Sequence, residues 1–422
     1  MIKRLVIALC CLAFYAVHAQ NNTISPYSYF GVGVISNVAT VENQMMGHLQ
    51  MYADSIHINL NNPAAYGKLR LTTYAGSLSQ DRVRLDTYTE SQKITLTNLE
   101  YLSIGFPLSD RFGGGFGLMP YSSVGYHLLE ETTNTNGATV LNEYSGQGGL
   151  NKVYLSLGYR LLDQLYLGAT VNFNFGNLTN QRIQSVESVE FGTLDRRQSQ
   201  INGFDFNYGL TYTPKITAKN TLFTSLTVHT QSNLVSENLQ RIGSFSRASG
   251  DEIEVVDVDL STSGLDRTAI KIPTKTTLGL GYGQDKKWFL GAEYSFQAMS
   301  DFKNQFVSLD RTEYKDASSF GVGAYYVPDY ASFTSYLKRI TYRAGMHMEQ
   351  SGLVVRGSEI NYFGITFGLG LPIDNVGFSN LNLGFEFGRK GTTVANLVEE
   401  NYFKVNLGLS LNDRWFLKRR ID

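Results

Sequence analysis

Histidine is the side chain most often recruited for acid–base and metal chemistry near neutral pH. Beyond the first twenty residues this chain has five: His48, His57, His127, His229 and His347. No two have the spacing of a helical zinc site, and no Gly-x-Ser-x-Gly elbow presents a nucleophile. The run Gly113-Gly114-Gly115 is followed by neither Gly-Lys-Ser/Thr nor a helix, which excludes a phosphate loop and leaves close backbone packing. His127 and His229 fall near strand–loop junctions, where a rim hydrolase would keep its base, but the simpler reading is an interfacial or loop histidine. Four charges, Glu293, Arg343, Glu386 and Lys404, stand isolated in strands of small and apolar residues and point to one face by parity. There they can pair and anchor an internal segment, or Arg343 can offer its forked donors to a ligand carboxylate. Both cysteines, Cys10 and Cys11, lie in the N-terminal leader, so the mature chain holds no thiolate nucleophile, disulfide or Cys-ligated metal. No enzymatic activity, cofactor or metal centre is expected.

The elements that must position these residues are strands. The leader itself has a short basic start, Lys3 and Arg4, and an apolar stretch from Leu5 to Val17. Small residues follow near Val17-His18-Ala19, so residues 1–19 read as a signal peptide cut after Ala19. A lipoprotein is disfavoured because Leu9 and Cys10 precede the cysteines where a small residue is needed. Lys plus Arg and Asp plus Glu balance at 36 and 37, giving a net charge of -1 and arguing against a nucleic-acid partner. Charged residues are only 17 %, below the roughly 25 % usual in soluble domains. No later run is apolar for the 18 or so residues a transmembrane helix needs. Apolar and polar residues alternate instead: Phe403, Val405, Leu407, Leu409 and Leu411 against Lys404, Asn406, Gly408 and Ser410, and Leu165 to Phe175 in the same manner.

About fourteen such segments of about ten residues can be placed, an even number and a membrane-crossing length. They start near Leu69, Asn98, Gly113, Lys152, Leu165, Gly203, Thr221, Lys275, Trp288, Ser319, Arg339, Tyr362, Asn380 and Tyr402. Short turns such as Ser109-Asp110-Arg111 follow the even segments. Long polar loops follow the odd ones: 80–97, 128–147, 179–200, 231–266 and 388–401. This asymmetry is that of periplasmic turns and extracellular loops, and it sets both chain ends in the periplasm. A soluble β-sandwich would alternate as well, but its polar face would be rich in Lys and Glu. Here that face carries Gly, Ser, Thr and Asn, which suits a crowded polar lumen. The expected fold is therefore an all-β, transmembrane antiparallel barrel over residues 69–422, in a bacterial outer membrane. Residues 20–68 lack a repeat but carry Tyr27, Tyr29, Phe30, Met45, Met46 and Met51, and are expected to form a luminal hatch.

Asn61-Asn62-Pro63-Ala64-Ala65, set just before the first strand, resembles the element that closes the hatch in the long-chain fatty acid transporter (FadL-like) barrels. Gly113 to Gly117 leading to Pro120-Tyr121 resembles that family's kinked third strand, and Leu409 to Phe416 the ending of one branch of it. The resemblance implies fourteen strands, a hatch, and passive uptake of hydrophobic small molecules such as long-chain fatty acids through a lateral opening around Met119, Pro120 and Tyr121. Independently, Pro120 cannot donate to a ladder and should break pairing if it lies inside the third strand; at the strand's end it would merely begin the loop. Expected partners are outer-membrane lipids and a hydrophobic ligand. Because some FadL-like barrels resemble subunits of secretion or assembly machines, the alternative is a non-transporting scaffold in such a complex. Its docking surface would be the loop 231–266 with the acidic run Asp251-Glu252-Ile253-Glu254, which reads otherwise as a solvated loop.

Overall fold

A computed structural model of the chain describes residues 23–307, 312–373 and 379–414. Residues 1–19, expected to be a signal peptide, and the end of the C-terminal motif, Trp415 and Phe416, lie outside them. Fourteen strands form the wall. They are β1 (Thr72–Asp86), β2 (Ser91–Pro107), β3 (Phe112–Thr133), β4 (Thr139–Leu162), β5 (Leu165–Val186), β6 (Phe191–Tyr212) and β7 (Asn220–His229). Then come β8 (Lys275–Gln284), β9 (Trp288–Gln297), β10 (Ala317–Tyr326), β11 (Thr341–Val355), β12 (Ser358–Pro372), β13 (Asn380–Gly391) and β14 (Glu399–Asp413). Each pairs antiparallel with the next, and β14 pairs with β1 from Asp413↔Thr72 to Glu399↔Asp86, which closes the barrel. Every expected strand is present.

Burial is inverted relative to a soluble protein. Phe204, Leu280 and Leu290 are exposed, whereas their strand neighbours Asp205, Gly281 and Phe289 face inward, and Ser156, Thr170, Asn172, Asn174 and Asn207 are buried. The inner polar groups satisfy one another: Ser156 and Thr170 hydroxyls meet at 2.6 Å, and Asn172 and Asn174 both donate to Asp205. With backbone groups paired around the ring, such a wall loses least by facing lipid on its apolar side.

The long loops are where expectation and structure part. Segments 80–97, 128–147 and 179–200 are not loops: the strands continue through them, and the turns shrink to residues 87–90, 134–138 and 187–190. Segment 231–266 holds two further strands: Ser232–Ser246, paired with the upper half of β6, and Glu252–Asp257, paired with Ser232–Ser246 on its far side. At about 3.3 Å per residue and a tilt near 40°, a 22-residue strand rises about 55 Å, roughly twice the apolar band. Strands β3 to β6 therefore stand well above the membrane as a one-sided parapet.

The N-terminal segment packs against the inner wall on two glycine surfaces. Gly113, Gly158, Gly168 and Gly209 stand side by side across β3 to β6. A Cβ on any of them would run into residues Asn62 to Gly67. Across the lumen, Gly281, Gly291, Gly323 and Gly345 form a second row, and a Cβ on Gly323 or Gly345 would run into Met46 and Gly47. Such close approach needs glycine, which accounts for much of that residue's abundance in the chain.

Candidate functional site

The Asn-Pro-Ala element is a short 3-10 turn, Pro63–Lys68, capped by its own asparagine. Asn62 Oδ1 accepts from the Ala64 amide at 3.1 Å, and Asn62 Nδ2 donates to Thr211 on β6 at 3.0 Å. Asn61 Nδ2 donates to the Val38 carbonyl, while Asn207 on the wall donates to the Asn61 carbonyl at 2.7 Å. Pro63 and Ala64 lie on Gly168 and Gly209. Lys68 ends the turn over the rings of Tyr166 and Phe223, and burial brings its ammonium down to about 8 against the fields of Asp54 and Asp285.

The four luminal charges all contact the segment or the wall around it. Glu293 accepts from the amides of Gln50, at 2.8 Å, and Met51. Arg343 donates to Asn382 Oδ1, and Asn382 in turn donates to Glu42 of the segment at 2.8 Å. Glu386 meets His48, His347 and the Tyr402 hydroxyl. Lys404 reaches Glu100 at 2.8 Å and Asp81 at 4.0 Å. Within the segment, Asp54 and His57 form a 2.6 Å pair. Burial alone would raise the Asp54 carboxyl, but the His57 ring and two backbone amides hold it well below the usual carboxylate range. Burial likewise opposes the charge on His57, and Asp54 and Glu42 together raise it above the ordinary imidazole value.

Pro120 lies in the middle of β3, not at its end. It faces Asn151, and the next pair is Ser122↔Leu150, so Tyr121 is bulged out of the ladder. On the other side β2 and β3 are joined only from Pro107↔Gly113 to Leu102↔Leu118. Above that point, among the described residues and the wall strands, β2 pairs with β1 alone and β3 with β4 alone. The break begins about 13 Å above the periplasmic turn, within the apolar band. Val34 and Ile35 of the N-terminal segment fill it in part by pairing with Ser123 and Ser122, and the Ser36 amide donates to the Tyr121 carbonyl.

Two cavities flank this short strand. One, of about 220 Å³, is lined by Pro120, Tyr121, Lys152, Asp205, His229 and Lys275; the other, of about 250 Å³, by His48, Asp81, Glu100, His347, Glu386 and Lys404. Arg343 lines neither; the cations that do are Lys152, Lys275, Lys390 and Lys404. Of these, sequence parity singled out Lys404 alone; the same alternation is a signal that could have found Lys152, Lys275 and Lys390, but it carries no sign of their height. His127 meets Glu143 in an exposed position, and His229 faces the first cavity. Among the described residues neither is bonded to a serine or threonine hydroxyl.

A family model described as BamG matches residues 1–422. The chain belongs to the BamG family. No curated protein matches the sequence. This BamG-family fold is shared with solved channels at low identity. The toluene transporter TodX of Pseudomonas putida is 17 % identical, covering 92 % of this chain and 100 % of its own, with a TM-score of 0.59. The toluene transporter TbuX of Ralstonia pickettii is 14 % identical over 92 % and 100 %, TM-score 0.59. A FadL homologue of Pseudomonas aeruginosa is 12 % identical over 90 % and 98 %, TM-score 0.55. The BamG-family chain is thus a fourteen-stranded barrel that shares the fold of the FadL-type barrels.

Proposed function

We propose that residues 20–68 are a hatch inside the barrel formed by residues 69–422. The barrel passes a hydrophobic, amphipathic small molecule, such as a long-chain fatty acid, from the outer vestibule sideways into the outer leaflet. The observation that carries this reading is the break between β2 and β3 at Met119, Pro120 and Tyr121, which begins at bilayer depth and is stopped by Val34 and Ile35. Exposed Ile35, Leu99 and Leu102 make its mouth apolar, while the lysines of the cavities suit a polar or anionic head. Proteins of like fold include a toluene transporter and a monoaromatic hydrocarbon channel, which supports a hydrophobic cargo.

The hatch strand offers the test. Ile35 and Ser122 are cross-strand partners, a spacing within disulfide reach, and no cysteine lies beyond Cys11. In the Ile35→Cys, Ser122→Cys double variant, uptake of a fluorescent fatty acid into proteoliposomes should fall to background on oxidation and return on reduction. Uptake indifferent to the cross-link would overturn the reading. Two observations favour the second reading, a scaffold in a secretion or assembly complex: the cavities are walled by ionisable side chains, and a broad parapet stands above them. Stoichiometric protein partners after gentle detergent extraction, with no uptake, would decide for it.

A further inference from the structure

The second cavity holds a group of side chains that the hatch reading does not use. His48 Nε2 lies 3.4 Å from Glu386 Oε2, and His347 Nε2 lies 3.0 Å from Glu386 Oε1. All three ligand atoms fall within 4.8 Å of one another, and the two imidazoles stand edge to face with centroids 4.6 Å apart. We propose that His48, His347 and Glu386 form a binding site for a divalent transition-metal ion of the zinc class, clasping the N-terminal segment to the barrel wall.

The His347–Glu386 contact at 3.0 Å is of hydrogen-bond length, but the His48–Glu386 contact has the length expected between two ligands of one ion. A charge-assisted N–H···O bond should be about 2.7–2.9 Å, so 3.4 Å is long for one. It matches the edge of a tetrahedron whose bonds are about 2.0–2.2 Å, which spans about 3.4 Å. Two imidazoles and one carboxylate are also the donor set that zinc takes when a fourth position stays open. Here the open side is the cavity, where Gln44 is buried with its Oε1 unpartnered.

The wall is shaped to hold this cluster. His347, Gly364, Gly388 and Tyr402 stand in one cross-strand row over β11 to β14. A Cβ on Gly364 would collide with the His347 ring, and one on Gly388 with the Tyr402 ring, so the two glycines make the space in which both rings lean toward Glu386. Tyr402 donates to Glu386 Oε1 at 2.8 Å, the outer-shell bond that fixes a ligating carboxylate. His48 is presented by a left-handed backbone, φ 62°, which few residues other than glycine adopt. The three ligands sit 299 and 39 residues apart along the chain, which is why no local spacing announces them.

The test uses the purified full-length barrel in detergent, without a histidine tag, titrated with Co²⁺ as a spectroscopic stand-in and with Zn²⁺. One ion per chain should bind, with the visible band of tetrahedral or five-coordinate cobalt displaced by zinc. The band should vanish in His48→Asn, a change confined to the segment that spares wall folding, and in His347→Ala. Zinc at a hundred times its Kd should slow proteolysis of the segment about a hundred-fold in the wild type and not in His48→Asn. A wild-type barrel with no saturable binding, a band that survives both substitutions, or proteolysis untouched by bound zinc would each overturn the proposal.

Discussion

The firmest measure of how the segment is held is Glu293→Ala. This carboxylate accepts the amides of Gln50 and Met51, both well inside the lumen. Hydrogen bonds to a charged acceptor contribute about 1.5–3 kcal/mol each, so their gross loss is about 3–6 kcal/mol. Part is returned, because the substitution also removes a buried charge that no cation contacts directly. A net cost of about 2–4 kcal/mol remains, and it falls on the segment. The wall keeps its ladders, since Glu293 sits between Gly279 and Gly321 and leaves their backbone pairing intact. Amide hydrogen exchange followed by mass spectrometry, on peptides spanning residues 44–53, reads the opening directly. At 1.36 kcal/mol per decade the exchange of those amides should accelerate about 30- to 900-fold, with wall peptides unchanged. Equal exchange in variant and wild type would show that Glu293 does not hold the segment. Acceleration throughout β8 to β10 would show instead that segment and wall open as one unit.

Gly168→Val places a side chain where Pro63 and Ala64 rest; the barrel should still form, but protease should cut the segment at least tenfold faster, and an unchanged rate would deny the glycine row its role as a seat. The Asp54–His57 pair gives a pH window. Its stabilisation is fully present below the unfolded histidine value near 6.5 and lost as pH rises through the raised His57 value. On the acid side it is present above about 3.8 and lost as pH falls through the depressed Asp54 value. Protection factors in residues 54–58, corrected for the intrinsic pH dependence of exchange, should therefore be highest between about pH 4 and 6.5, and a flat profile of protection would refute the pair's contribution. Lys404→Met leaves Glu100 and Asp81 facing each other without their cation, at a cost of about 3–5 kcal/mol, seen as a lower midpoint when the barrel is unfolded by denaturant.

The wall was legible because lipid on one side and a polar lumen on the other impose a binary contrast at period two, as in Leu381 to Phe387. Where β3 to β6 rise above the membrane, water lies on both faces. The contrast disappears while the ladder goes on, so residues such as Glu130 to Thr133 look like loop and are strand. Parity likewise told which face Arg343 and Glu386 occupy but not their depth. Depth decides what each meets on the N-terminal segment, Glu42 through Asn382 for Arg343 and His48 for Glu386, and no local pattern encodes that meeting. Pro120 was ambiguous for the same reason: its position within β3 depends on how far the strand continues into water.

The acidic run belongs to the outermost strand of the parapet, Glu252–Asp257, whose residues are all exposed and whose far edge has no ladder partner among the described residues. A bare edge in water invites another chain to add on and grow a sheet between molecules. Arg196 and Arg241 neutralise Glu252 and Asp257, which leaves Glu254 as the charge that makes such addition repulsive between like copies. In a membrane crowded with its own kind, that charge works against neighbouring barrels zipping together along this margin, which stands in water above the bilayer.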